Sequence, residues 1–119
     1  MSQYLILIYD DEAAWVNAAP EASAKLMDGH AKFGQNNGDR VLGGNALQPV
    51  TTATTLRPDG AGGLTTTDGP FLETKEALGG YYLIEAADLD EAITIARQVP
   101  LAASTGGLEV RPIMVFDQE

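Results

Sequence analysis

Tyr4-Leu5-Ile6-Leu7-Ile8-Tyr9 is an uninterrupted apolar run closed at once by Asp10, Asp11 and Glu12. It is far shorter than the ~20 residues a membrane helix needs. No basic flank precedes it, so it does not read as a secretory leader. A short apolar run with so abrupt an end suits a buried β-strand. Side chains alternate across a strand, which sends Leu5 and Leu7 to one face and Ile6 and Ile8 to the other. Tyr81-Tyr82-Leu83-Ile84-Glu85 behaves likewise, with Tyr81 and Leu83 opposite Tyr82 and Ile84. A sheet with one face in water alternates apolar with polar residues instead. Two strands that are apolar on both faces belong at the centre of a sheet whose two faces are both covered.

The rest of the chain supplies one of those covers. Asp11 through Asn36 reads as helix with a break at Ala19-Pro20, since Pro20 suits a first helical turn. Ala22, Leu26, His30 and Phe33 form one stripe of that helix. Asn36-Asn37-Gly38 would end it with residues that tolerate positive φ. Arg40 through Leu47 is a weaker strand interrupted by Gly43-Gly44. Thr51–Arg57 and Gly63–Thr67 form a hairpin around the turn Pro58-Asp59-Gly60, and Thr67-Asp68-Gly69-Pro70-Phe71 is a second turn. Asp88, with Glu91 three residues on, caps a second helix with the apolar stripe Leu89, Ala92, Ile93 and Ala96. Pro100 closes that helix, and Leu108 through Phe116 is a last strand in which Pro112 marks an edge.

With the hairpin set aside, the order is the ferredoxin-like βαββαβ pattern of an α+β fold. At ~100–200 residues per domain, residues 1–119 form a single domain. Two helices can cover only one face of the sheet. The simplest cover for the other is a second copy, so a homodimer joined face to face is expected.

Composition narrows the chemistry. Seven Lys and Arg against 17 Asp and Glu give a formal charge of −10, which excludes nucleic acid and disfavours an anionic membrane. Cysteine is absent, so disulfides, thiolate nucleophiles and Cys-based metal sites are excluded. The lone histidine, His30, cannot build a multi-His site within one chain, and no metal or cofactor is expected. No dinucleotide or phosphate-loop spacing is present. Cytoplasm is the expected compartment.

Thr67-Asp68-Gly69-Pro70-Phe71, then Glu73-Thr74-Lys75-Glu76 and Leu78-Gly79-Gly80-Tyr81-Tyr82-Leu83-Ile84-Glu85, resembles the signature of DGPF-domain proteins of the YCII-related family. Asp11-Glu12-Ala13-Ala14-Trp15, His30-x-x-Phe33, Leu47-Gln48-Pro49, Asp88–Ala92 and Glu109-Val110-Arg111-Pro112 extend the resemblance over almost the whole chain. The resemblance implies a dimeric α+β barrel but little about reaction, because most members have no established activity. Relatives in the wider superfamily include muconolactone-type isomerases and dehalogenases. Some DGPF proteins are linked by gene neighbourhood to extracytoplasmic-function sigma factors, which implies a regulatory partner as an alternative. The wider family's acid–base pair is a helix-borne histidine and an aspartate. The histidine carries over to His30. The aspartate's usual place before a proline is Val99 here, and Asp68 is the acid that could replace it.

His30 is therefore the sharpest candidate, because an imidazole moves protons near neutrality. The alternative is a hydrogen-bonded core histidine. Asp68 either orients His30 or simply shapes its turn. Gly44 and Asn45 either let a ligand approach the backbone or mark a bulge. Arg57 and Arg111 either anchor a substrate carboxylate or make ordinary ion pairs. Tyr81 and Tyr82 point to opposite faces, so at most one can line a pocket. Two functions remain. One is a small-molecule enzyme doing isomerisation, elimination or hydrolysis with His30 and Asp68. The other is a non-catalytic dimeric module that binds a metabolite or a regulatory protein.

Overall fold

The structure, a computed structural model, describes residues 1–116. The first apolar run lies within strand β1 (Ser2–Asp11) and the second within β5 (Glu76–Ala86). The two pair antiparallel at the centre of a four-stranded sheet, flanked by β2 (Val41–Ala46) beyond β5 and β6 (Gly107–Pro112) beyond β1. Strands β3 (Thr54–Pro58) and β4 (Leu64–Asp68) pair only with each other, as the inserted hairpin. The described residues also form three α-helices, α1 (Glu12–Val16), α2 (Pro20–Asn36) and α3 (Leu89–Ala96), and a single 3-10 turn at Val50–Thr52. The central order β2-β5-β1-β6 and the alternating connections make this a ferredoxin-like α+β fold. No helix among the described residues is long and apolar enough to cross a membrane.

Local chemistry explains the boundaries. Asp11 caps α1 by accepting the Ala13 N–H, and Pro20 occupies the first turn of α2. Asp88 caps α3 by accepting the Glu91 N–H at 2.9 Å. Asp59 folds the hairpin turn by accepting the Ala61 and Gly63 amides. Those same amide bonds hold its carboxyl below the usual range.

Four expectations change. The end of α2 uses no left-handed residue, since Asn37 sits at φ −127°. Its side-chain amide instead donates to the Phe33 carbonyl at 3.0 Å, which satisfies an open helix end directly. On α3 the buried residues are Ala92, Ile95 and Ala96, while Leu89 is exposed. Strand β5 begins at Glu76, earlier than its apolar run, because Gly79 is the extra residue of a bulge that lets Leu78, Ala77 and Glu76 continue pairing with β1. Strand β6 stops at Pro112, which pairs with Tyr4, and one further backbone bond follows, from the Ile113 amide to the Gln3 carbonyl at 2.9 Å.

The core lies between the sheet and the helices. Tyr4, Ile6, Ile84 and Ala86 from the sheet meet Phe33 of α2, Ala92, Ile95 and Ala96 of α3, and Val99 just after it. Leu5, Leu7, Tyr81 and Leu83 lie on the opposite face, with Leu5 beside Leu83 and Leu7 beside Tyr81. That face is only half-buried. The molecule is a slab of 51 × 49 × 19 Å. Its radius of gyration, 16.6 Å, exceeds the ~13.5 Å of a compact domain of this length.

Candidate functional site

A cavity of about 450 Å³ opens where α2 crosses the ends of β2 and β5. That volume lies within the range of small-molecule sites. Leu26, Met27 and His30 of α2 form one wall, and Ile8, Tyr82 and the backbone of Gly44 to Leu47 form another. Trp15 of α1 and Pro100 close its sides. The Gly79 bulge holds the end of the wall, because its carbonyl accepts the Leu47 amide at 2.8 Å.

His30 is half-buried in this wall, on the stripe whose next member, Phe33, is 1% exposed. Its Nδ1 lies 2.7 Å from the Tyr82 hydroxyl. Burial lowers the histidine pKa and raises that of the tyrosine. Both shifts favour the uncharged forms, an imidazole facing an intact phenol. The pair then has two proton arrangements. If the Tyr82 O–H donates to Nδ1, Nε2 carries the proton and can act as an acid. If Nδ1–H donates to the phenol oxygen, Nε2 presents a lone pair and can act as a base. Nε2 has no hydrogen-bond partner among the described residues.

Glycine and phenylalanine place the tyrosine. A Cβ on Gly44 would lie 2.7 Å from the Tyr82 ring and 2.7 Å from the Tyr81 carbonyl oxygen. The close approach expected at Gly44 is therefore made by the protein's own tyrosine. Leu42, just before, is the extra residue of a bulge in β2. The Phe33 ring sits 4.6 Å from that of Tyr82, in a tilted arrangement. Asn45 also lines the cavity, with its amide donating to the Tyr81 hydroxyl at 2.8 Å, and Tyr81 lines it as well, so both tyrosines border the cavity where at most one was expected.

The other expected residues stand elsewhere. Asp68 ends β4 opposite Thr54, exposed on the hairpin, and it does not line the cavity. The pairing of His30 with Asp68 is thus replaced by the bond to Tyr82. Arg57 lies 4.1 Å over the Phe71 ring and donates to the Phe71 carbonyl. Arg111 is exposed on β6 with Glu109 4.0 Å away. Neither arginine reaches the cavity. Among the described residues no group of three acidic or histidine side chains could hold a metal ion.

Three residues of the site escape a reading of the sequence: Tyr82 as the partner of His30, Trp15, and Asp10. Asp10 is 5% exposed and lines the cavity. Its carboxylate accepts the amides of Asp11, Ala102 and Ala103, which ties the loop after Pro100 to the end of β1. Of the three acids that close the apolar run, Asp10 alone keeps the inward alternation of Tyr4, Ile6 and Ile8, which is a signal for such a buried anchor. The face shared by Tyr82, Ile84 and the stripe of α2 is the signal for the tyrosine.

Fold and site together define a ferredoxin-like α+β protein with a helix-borne histidine on the wall of an apolar cavity. The chain belongs to the YCII-related family, whose domain matches residues 2–117. It is also similar to an uncharacterised protein of Rhizobium meliloti (strain 1021), at 42% identity over 118 residues, covering 95% of this chain and 93% of that one.

Proposed function

We propose that the protein binds a small organic molecule in this cavity and moves a proton on it, with Nε2 of His30 as the exchanging atom. Tyr82 is the positioning residue that holds the ring in place in either tautomer. The 2.7 Å contact between Nδ1 and the Tyr82 hydroxyl carries this reading. It leaves one ring nitrogen for a ligand and ties the other to a group that can give or take a hydrogen bond. Isomerisation, elimination and hydrolysis share such a proton transfer. The test is solvent deuterium incorporation into a panel of enolisable ketones, lactones and hydroxyquinones, followed by NMR. Incorporation above the buffer rate is expected for at least one class. No incorporation with any class, alongside saturable binding, would favour a second reading as a binding module. The position of Asp68 outside the cavity motivates that second reading, since His30 has no acidic partner among the described residues.

The proposed working unit is a homodimer. Leu5, Leu7, Tyr81 and Leu83 form a continuous apolar patch on the face opposite the helices, as the sequence of the two central strands requires. The excess radius of gyration supports the same view. Sedimentation equilibrium at micromolar concentration should give twice the chain mass of 12.6 kDa. A stable species of 12.6 kDa would contradict the dimer.

A further inference from the structure

The cavity holds a more specific signal than its shape, and it lies in the placement of charge. The chain has seven Lys and Arg side chains: Lys25, Lys32, Arg40, Arg57, Lys75, Arg97 and Arg111. None of them lines the cavity. Lys32 pairs with Asp28 and Arg40 with Glu91, both away from it. Among the described residues, the one charged side chain in the wall is an acid, Asp10. Three backbone amides fill most of its roughly four acceptor sites, so it is committed to the loop and offers little to a bound cation. The remaining side-chain lining is mainly apolar, apart from His30, Tyr82, the bonded pair Asn45 and Tyr81, and the Trp15 indole N–H, all of them uncharged.

An ionised carboxylate or phosphate entering such a cavity loses hydration and meets no compensating charge. It also meets a like charge at Asp10 and a molecule of formal charge −10. An uncharged molecule loses far less, and gains by covering Ile8, Trp15, Leu26 and Met27. One oxygen is enough to engage the histidine, as a hydroxyl or a carbonyl. We infer that the cavity takes an uncharged, mostly apolar molecule that presents a single hydroxyl or carbonyl oxygen to the His30–Tyr82 pair, and that it rejects carboxylates and phosphates. This rests on the proposed small-molecule site and specifies its ligand class. It also excludes the arginine-anchored carboxylate that the sequence left open.

The sequence offers clean reporters, because Trp15 and His30 are each unique and both line the cavity. The probes are 4-ethylphenol, 4-ethylbenzoate and 4-ethylbenzylammonium, alike in size and different in charge. Their binding is read from the NMR shifts of the Trp15 indole N–H and the His30 ring in the full chain. The phenol should move both signals, with a Kd at least about ten-fold below those of the two ions. Met27 is exposed at the rim, so Met27→Arg adds a cation with little risk to the fold. It should shift the ratio of benzoate to phenol affinity at least about ten-fold toward benzoate, since the lost Met27 contact is common to both ligands and only benzoate gains a counter-charge. Equal or tighter binding of either ion to the wild type would overturn the inference. So would a phenol that moves neither signal at millimolar concentration, or a folded Met27→Arg variant that leaves the ratio of benzoate to phenol affinity unchanged. Deuterium exchange confined to anionic compounds would overturn this inference and leave the proton-transfer reading standing. Phenol binding without exchange on any compound would do the reverse.

Discussion

Replacing Phe33 by alanine is expected to cost about 3–5 kcal/mol of folding stability, the usual penalty for deleting a buried aromatic ring. Phe33 is 1% exposed and joins α2 to Tyr4, Ile6 and Ile84 of the central strands. The loss combines the transfer of the ring with the cavity it leaves, because α2 can collapse only partly onto a hydrogen-bonded sheet. Against a typical total of ~5–15 kcal/mol, such a loss can unfold a large part of the population. It also removes the ring packed 4.6 Å from Tyr82, so the site should loosen before the fold fails. Urea unfolding of both proteins at one fixed chain concentration measures the difference, the concentration being held because any dimer adds to apparent stability. A loss below ~1 kcal/mol would mean that α2 is not fixed to the sheet through this ring.

His30→Ala should reduce deuterium incorporation by about 10²–10⁴-fold, the contribution a positioned acid or base makes to proton transfer. His30 is half-exposed, so this loss should come with little change in the urea midpoint. Tyr82→Phe is the companion variant. It keeps the ring against Phe33 and removes only the hydroxyl that holds Nδ1. Its effect on exchange should be smaller than that of His30→Ala, because the imidazole remains but is no longer held in one orientation. Exchange that survives His30→Ala unchanged would remove the histidine from the chemistry and leave the cavity as a binding site.

How much of this was legible depends on the kind of information each feature needs. The centre of the sheet was readable because alternation has a strict period of two. Leu5 and Leu7 opposite Ile6 and Ile8 leave no other place for β1, and β5 followed for the same reason. The stripe Leu26, His30 and Phe33 was readable because α2 is long and repeats its apolar residues at helical spacing, though Ala22, the fourth expected member, is exposed. Helix α3 was harder. Ile93 and Ile95 lie on different sides of a short helix of eight residues, and only packing selects Ile95. The Gly79 bulge was hidden because it is defined by the register against β1, a relation between distant segments. The partner of His30 was hidden for the same reason. Alternation gives the face of Tyr82 but not its reach across 52 residues, and the Gly44 backbone that makes room for its ring belongs to a third segment. Asp68 stood out in the sequence through its turn and its family motif, yet the hairpin carries it away from the cavity.

The most direct test is the NMR titration of the His30 ring, which needs no assignment among histidines because the chain has one. Burial beside the Tyr82 phenol lowers its pKa from the ordinary 6.5, so the midpoint should fall below that value. The sign carries into stability. Below pH 6.5 the unfolded chain binds the proton first, so stability falls as pH drops from 6.5 toward the lowered midpoint. A carboxylate partner would do the opposite, by stabilising the imidazolium. A midpoint below 6.5 is the result expected of a neutral imidazole held by Tyr82 in an apolar wall. A midpoint above 6.5 would contradict it and return an acid such as Asp68 to the side of His30.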